Sequence, residues 1–205
     1  MYPAKTGLLI GFHGCDKSVR DKIVNNKSML YESNNDYDWL GNGMYFWENN
    51  RERALDFAQN LHKNPQRDKA PILTPSVLGA TIDLGFCLNL LEKEFIELVS
   101  KSYQTLSASY STLDLQMPEN APIGASKDLL IRKLDCAVIE NLHLFRRKNK
   151  LKPFDSARGV FIEGDPIYLT SGFYEKSHIQ ICIRNPNCIK GFFIPRDENK
   201  KWRVP

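Results

Sequence analysis

The chain begins with an apolar run that leads into a helix-forming segment. Residues 7–12 read GLLIGF and end at a His-Gly pair, which is typical of a buried strand that delivers His13 and Gly14 to an edge. Asp16 follows as an N-cap, and the apolar residues after it recur at helical spacing. This pattern predicts a strand and then a helix that ends near Asn25.

A second strand and helix follow a polar loop. Residues 32–43 are rich in Asn, Asp, Ser and Gly, and loops of this length are often functional. Residues 44–47 then form a compact aromatic strand, and Asn49 or Asn50 is the predicted N-cap of the next helix. Alternating residues over 76–84 predict a further strand.

The middle of the chain has helical rather than strand periodicity. Apolar residues recur at helical spacing over 90–104 and again over 127–147. Residues 105–126 lie between them and contain Ser, Pro and Gly, which is typical of a surface excursion. We therefore predict a helical insertion over about residues 90–147.

The last quarter returns to strand-forming residues. Short apolar strands are predicted over 159–162, 178–183 and 189–194. Pro186 and Asn187 favour a turn, because proline fixes φ and asparagine tolerates left-handed backbone. The pattern predicts that the last two strands form a hairpin.

Composition supports a single folded domain over residues 1–205. A hydrophobic content of 42% and a charged content of 25% are ordinary for a globular protein. The net charge of +4 is too small to imply a nucleic-acid partner. The apolar N-terminal run is too short for a signal peptide, and no run is long enough for a membrane span. We expect a soluble, cytoplasmic protein with no membrane contact.

The five cysteines include no CxxC pair, and their odd number favours a reduced protein. Cys182 and Cys188 could form a metal site with His178, but their placement in apolar strands favours buried small side chains. We expect no bound metal.

Three segments stand out in the chain: FHGC at 12–15, GNGMYF at 41–46 and HIQICI at 178–183. In this order they resemble the signature of the ADP-ribosyltransferases of the diphtheria-toxin and poly(ADP-ribose) polymerase group. The resemblance implies an α+β fold, with a split antiparallel β-sandwich around an NAD cleft and a helical insertion. It also implies that NAD is the substrate.

The resemblance assigns roles to particular residues. His13 would bind a hydroxyl of the adenosine-side ribose, and the backbone of Gly14 would bind the nicotinamide carboxamide, where glycine permits close approach. Tyr45 would stack on the nicotinamide ring, and we assign Phe57 to the other side of that ring.

The third segment departs from the family pattern. Gln180 stands where the catalytic glutamate of the family is expected, and its amide cannot supply negative charge to an oxocarbenium-like state. Glu175 and Glu163 are the carboxylates that could replace it. His178 shares a strand face with Gln180 and could act as a general base toward an acceptor.

These residues predict an enzyme of the glycosyltransferase class, an NAD-dependent mono-ADP-ribosyltransferase. The acceptor would be a macromolecule, either RNA or DNA or a protein. A toxin or defence effector is the setting that the family suggests, and its partners would then include an antitoxin-like protein. The alternatives are a catalytically weak module that binds NAD or ADP-ribose, and an NAD glycohydrolase.

The basic run RRKNKLK at 146–152 bears on the choice of acceptor. It could contact phosphates of nucleic acid or of NAD, or it could be the solvated C-terminal end of a helix.

Overall fold

The computed structural model describes residues 7–65, 70–123 and 127–202. It confirms the α+β class, with a large mixed sheet and four α-helices. The helices are α1 (Lys17–Val24), α2 (Arg51–Lys63), α3 (Lys93–Thr112) and α4 (Lys133–Lys148). The strands are β1 (Leu9–Asp16), β2 (Met44–Glu48), β3 (Pro75–Ile82), β4 (Cys87–Asn89), β5 (Asn120–Ala121), β6 (Ile131–Arg132), β7 (Ser156–Phe161), β8 (His178–Ile183) and β9 (Ile189–Phe193).

Seven strands form one hydrogen-bonded sheet in the order β4-β7-β8-β2-β1-β3-β9. Only the pairing of β4 with β7 is parallel. β1 and β2, at the centre of this sheet, are joined only by the pairs Gly11 with Glu48 and Phe12 with Trp47. The family resemblance implies a split antiparallel β-sandwich, whereas hydrogen bonds join all seven strands through this narrow seam.

The predicted caps of the first two helices are present. The Asp16 carboxylate accepts a hydrogen bond from the Ser18 amide at 2.8 Å, and α1 follows it directly. Asn50, not Asn49, caps α2, and its side-chain oxygen accepts from the Arg53 amide at 3.1 Å. Each cap satisfies an amide that the first helical turn leaves without an intrahelical partner.

α3 and most of α4 lie in the region 90–147 that was predicted to be helical, but α3 continues eight residues into the predicted surface excursion. Ser109 and Thr112 lie in this extension, and their hydroxyls donate to carbonyls four residues earlier in the helix. This back-bonding satisfies the polar side chains within the helix, so serine and threonine content did not mark its end. The Ser102 hydroxyl donates to the Val138 carbonyl at 2.8 Å and joins α3 to α4.

The predicted hairpin between the last two strands is wrong. β8 pairs with β2 and β7, which occupy both of its edges, whereas β9 pairs with β3 at the far edge of the sheet. The turn that was predicted is present as a 3-10 helix at Pro186–Cys188. It redirects the chain across the sheet, because β8 has no free edge for β9.

Different helices cover the two faces of the sheet. One face carries Phe46, Ile181 and Ile183, which pack together, and α1 covers another part of the same face. We call it the α1 face. Tyr45 and Cys182 alternate with them and point to the opposite face, where Leu40 and α4 pack. That face is also covered by α2, and we call it the α2 face.

Within the residues that the structure describes, none of the helices combines the length and the apolar character needed to span a membrane.

The Asp16 carboxylate should contribute measurably to stability, because it also accepts from the amides of Leu73 and Thr74 at 2.8 Å each. Asp16→Ala should lower the free energy of unfolding by about 1 kcal/mol, as loss of an N-cap does. Glu97→Ala is the control, because its exposed ion pair with Lys93 should be worth much less. Equal denaturant midpoints for the two variants would contradict this role.

The same carboxylate should make stability depend on pH. The hydrogen bond to Ser18, which is the largest effect, and the hydrogen bond to Thr74 lower the pKa of Asp16 from 3.8 to about 2. Its contribution is therefore complete above about pH 4 and lost as the pH falls toward 2. Wild type and Asp16→Ala should converge in stability over that interval, and a constant difference across it would contradict the prediction.

Candidate active site

The three segments that carry the family resemblance lie on adjacent strands. β8, β2 and β1 are consecutive in the sheet. Trp47 of β2 is paired with Gln180 of β8 on one side and with Phe12 of β1 on the other. The fold therefore brings together segments that are more than 160 residues apart in the chain.

His13 lies in the seam between β1 and β2. Its Nδ1 is 2.8 Å from the Tyr45 carbonyl oxygen, and because a carbonyl only accepts, Nδ1 donates the proton. Burial lowers the pKa of His13 below 6.5 and favours the neutral ring. The ring packs edge-on against Phe46, so the side chain is on the α1 face.

Tyr45 holds the preceding loop in place. Its hydroxyl donates to the Gly41 carbonyl at 2.8 Å and accepts from the Leu40 amide at 3.0 Å. Burial, the largest effect, raises the pKa of this phenol well above its usual range. The ring packs on the α2 face, opposite to His13, and its predicted stacking on nicotinamide stays a prediction.

Gly14 is required by the packing of α2. A Cβ at this position would overlap the Ala54 carbonyl oxygen and would lie 3.1 Å from the carbon of that carbonyl. The backbone of α2 therefore rests directly on β1, which accounts for the glycine without a ligand. This contact also fixes where α2 presents its next residues, including Phe57.

A continuous row of rings runs along the α2 face. Arg132 lies over the Phe161 ring at 4.6 Å, and Phe161 stacks on His178 with centroids 5.5 Å apart. His178 is 6.0 Å from the Trp47 ring, which contacts Phe57 at 5.0 Å. Phe57 was expected to pair with Tyr45, and the ring that it contacts is Trp47.

Three buried nitrogen atoms near this row have no hydrogen-bond partner among the described residues. They are Trp47 Nε1, Arg53 Nε and His178 Nε2. Buried polar atoms are normally satisfied, and each exception calls for an explanation such as a ligand. Trp47 and His178 are 5% and 7% exposed, so their own solvent contact does not compensate.

The tautomer of His178 follows from its other nitrogen. Nδ1 is 2.6 Å from the Lys176 carbonyl oxygen and must donate to it. Burial, the largest effect, and nearby Arg53 lower the pKa of His178 below 6.5, so the ring is neutral at pH 7. Nε2 therefore carries a lone pair that is available to accept a proton.

Glu163 and Gln180 have defined partners, whereas Glu175 is exposed. Glu163 lies close to the row of rings, because one of its oxygens is 2.9 Å from Arg53 Nη2. Glu175 is exposed in the loop before β8. Gln180 Oε1 accepts from Trp39 Nε1 at 2.6 Å, and so its amide oxygen is already engaged.

Sequence reasoning did not select Trp47, Arg53 or Phe161. Trp47 is two residues from Tyr45 and shares its strand face, which was a usable signal. Arg53 follows the α2 cap by three residues, but nothing in the sequence showed that its charge would act on His178 of β8. Phe161 depends on the register of β7 with β8, where it is opposite His178.

Two surface cavities lie away from this cluster. One, of about 250 Å³, is lined by Arg20, Arg51, Leu55, Pro75, Ser76, Val77 and Pro195. The other, of about 380 Å³, is lined by His143, Arg147, Lys150, Leu151, Pro153, Phe154 and Arg184. Neither is lined by His13, Tyr45 or His178.

Comparison of the chain with protein-family models, curated proteins and solved structures finds no match.

Gly14→Ala should displace α2 and destabilise the protein by about 1–3 kcal/mol, the usual cost of overpacking. Gly191→Ala is the matched control, because a Cβ there meets no atom within 4 Å. Chemical denaturation of both variants measures the difference. Similar midpoints would show that α2 does not rest on Gly14 as described.

Proposed function

We propose that this protein binds NAD and transfers its ADP-ribose group to a macromolecular acceptor. The observation that supports this most is the lone pair on buried His178 Nε2, together with two unpartnered donors: Trp47 Nε1, whose ring is 6.0 Å from the His178 ring, and Arg53 Nε, whose charge acts on His178. These groups lie on and beside the strands that bear the transferase-like segments. A site with one base and two free donors suits transfer to a hydroxyl or amine.

The proposed reaction breaks the bond between the nicotinamide nitrogen and the ribose carbon. Nicotinamide leaves with the bonding electrons, and positive charge develops on the ribose. An acceptor oxygen or nitrogen then forms a bond to that carbon, and its proton passes to His178 Nε2. We assign Arg53 Nε, which has no partner among the described residues, as a donor to an anionic or hydroxyl oxygen of the nucleotide.

Glu163 is the carboxylate that we assign to the developing positive charge. Its partner Arg53, whose charge acts on His178, keeps it near that ring, whereas Glu175 is exposed. Gln180 contributes differently, because its bond to Trp39 makes it a positioning residue for the row of rings. Glu163 is the one carboxylate that we assign to the reaction, and it is already paired with Arg53. We therefore expect transfer of one ADP-ribose rather than chain elongation.

A catalytically weak module that binds NAD or ADP-ribose is the second candidate. The Gln180 amide oxygen and the Tyr45 hydroxyl are both satisfied within the protein, and Glu163 is paired with Arg53. Such a site could recognise a nucleotide while supplying little charge stabilisation to the reaction.

Incubation with NAD labelled in the adenylate part separates these functions. Transfer predicts nicotinamide release and label on added RNA, DNA or protein. Nicotinamide release with free ADP-ribose alone would indicate hydrolysis instead. Saturable binding without release would indicate the module, and absence of both binding and release would contradict the proposal.

His178→Gln should reduce transfer at least 100-fold, because general base catalysis typically contributes that much or more. NAD affinity should change far less, since the base acts on the acceptor. His62→Gln is the control, because His62 is exposed at the end of α2 and its Nδ1 contacts the Ile72 carbonyl. Equal activity of both variants would remove His178 from the reaction.

The pH profile of transfer should reflect the lowered pKa of His178. The unprotonated ring is the active form, so activity should be level around pH 7 and should fall only below pH 6.5. His178→Gln should lose this acidic limb. A limb that persists in the variant would assign the titration to another group.

A further inference from the structure

A second cluster of polar groups lies at the opposite end of β8. The cavity of about 380 Å³ is bounded there by Arg184, just after the strand, and by the C-terminal part of α4. Arg184 is six positions after His178, which corresponds to about 20 Å along an extended strand. The cavity is therefore distinct from the proposed NAD site.

The cations of this cavity are only partly neutralised. Arg184 is paired with Glu140 at 2.5 Å, and the same carboxylate also accepts from the Asn42 amide. Arg147 and Lys150 form no ion pair with any carboxylate in the described residues. The cavity is thus lined by two cations without an ion pair, Arg147 and Lys150, and by Arg184, which has one.

Two further positive groups lie over aromatic rings at or beside the cavity. Arg146 lies 4.4 Å above the ring of Phe154, and Lys152 lies 4.9 Å from the ring of Phe86. The nearby carboxylate of Asp155 is occupied by hydrogen bonds from the Asn185 amide side chain and the Phe86 backbone. The basic residues therefore outnumber the carboxylates around this opening.

His143 lines the cavity and reports its electrostatic character. The residue is 9% exposed, and its Nε2 has no partner among the described residues. Burial is the largest effect on its pKa, which falls to about 4, and Arg184, Arg146 and Arg147 lower it further while Glu140 opposes them. The ring is neutral at pH 7, and its protonated nitrogen can donate a hydrogen bond to an anionic ligand.

We propose that this cavity binds a phosphate group. Converging guanidinium and ammonium groups with a neutral imidazole match the acceptors of a phosphate, and arginine contacts phosphate through two parallel hydrogen bonds. A solvated helix end would explain the charges of Arg147 and Lys150. It would not explain why they share a cavity with buried His143 and Phe154.

The size of the cavity limits the ligand. A volume of about 380 Å³ is within the range of small-molecule sites and accommodates a nucleoside monophosphate or a short stretch of nucleic-acid backbone. The two sources present the same phosphate chemistry, and the experiment below distinguishes them.

Calorimetric titration of the full chain with inorganic phosphate, AMP and a twelve-nucleotide single strand provides the test. We expect saturable binding of at least one probe. Arg147→Gln combined with Lys150→Gln should weaken that binding at least tenfold. Tight binding of AMP with weak binding of the oligonucleotide would identify a small ligand. Tight binding of the oligonucleotide with weak binding of AMP would identify nucleic acid.

Lys148→Gln is the matched control, because Lys148 belongs to the same helix end but does not line the cavity. An equal loss in this variant would show diffuse charge attraction and overturn the proposal, as would no binding of any probe by wild type. Arg53→Gln separates this site from the NAD site, since it should leave binding here unchanged. If Arg53→Gln lost AMP binding while the variant with Arg147→Gln and Lys150→Gln kept it, AMP would bind at the NAD site, which would contradict the inference.

Discussion

The contact between α2 and β1 at Gly14 is the constraint on which the candidate active site depends. Because residue 14 has no side chain, the backbone of α2 reaches the sheet at Ala54, one residue after Arg53. Arg53 and Phe57 are thereby held over β2 and β8, beside Trp47 and His178. A larger residue at position 14 would move α2 away from the sheet, and these groups would separate.

Local features of the fold could be predicted from sequence, whereas its long-range connections could not. The caps at Asp16 and Asn50 and the strand–helix order of the first half follow from short-range chemistry, and they are present. The hairpin failed because adjacent strands in the chain were assumed to pair, although β8 already has two partners. The end of α3 was misplaced because serine and threonine hydroxyls were counted as loop signals.

In the candidate site, too, local motifs could be recognised from the sequence, whereas tertiary contacts could not. His13, Tyr45 and His178 were selected from motifs, and the structure places them on three adjacent strands. Their side chains do not face one crevice, since His13 points to the α1 face while the other two point to the α2 face. Strand alternation alone could not reveal this, because the relative facing of two strands depends on their register. Arg53 and Phe161 depend on tertiary contacts in the same way.

The central claim is that the unpartnered nitrogen atoms around His178 form a nucleotide site. Among the three tryptophans of the chain, Trp47 has an unpartnered indole N–H, Trp39 donates to Gln180, and Trp202 is exposed. Titration with NAD while the three indole N–H signals are followed by NMR tests the claim most directly. We predict a saturable shift of the Trp47 signal with the Trp202 signal unchanged. Saturable NAD binding that leaves the Trp47 signal in place would contradict the account.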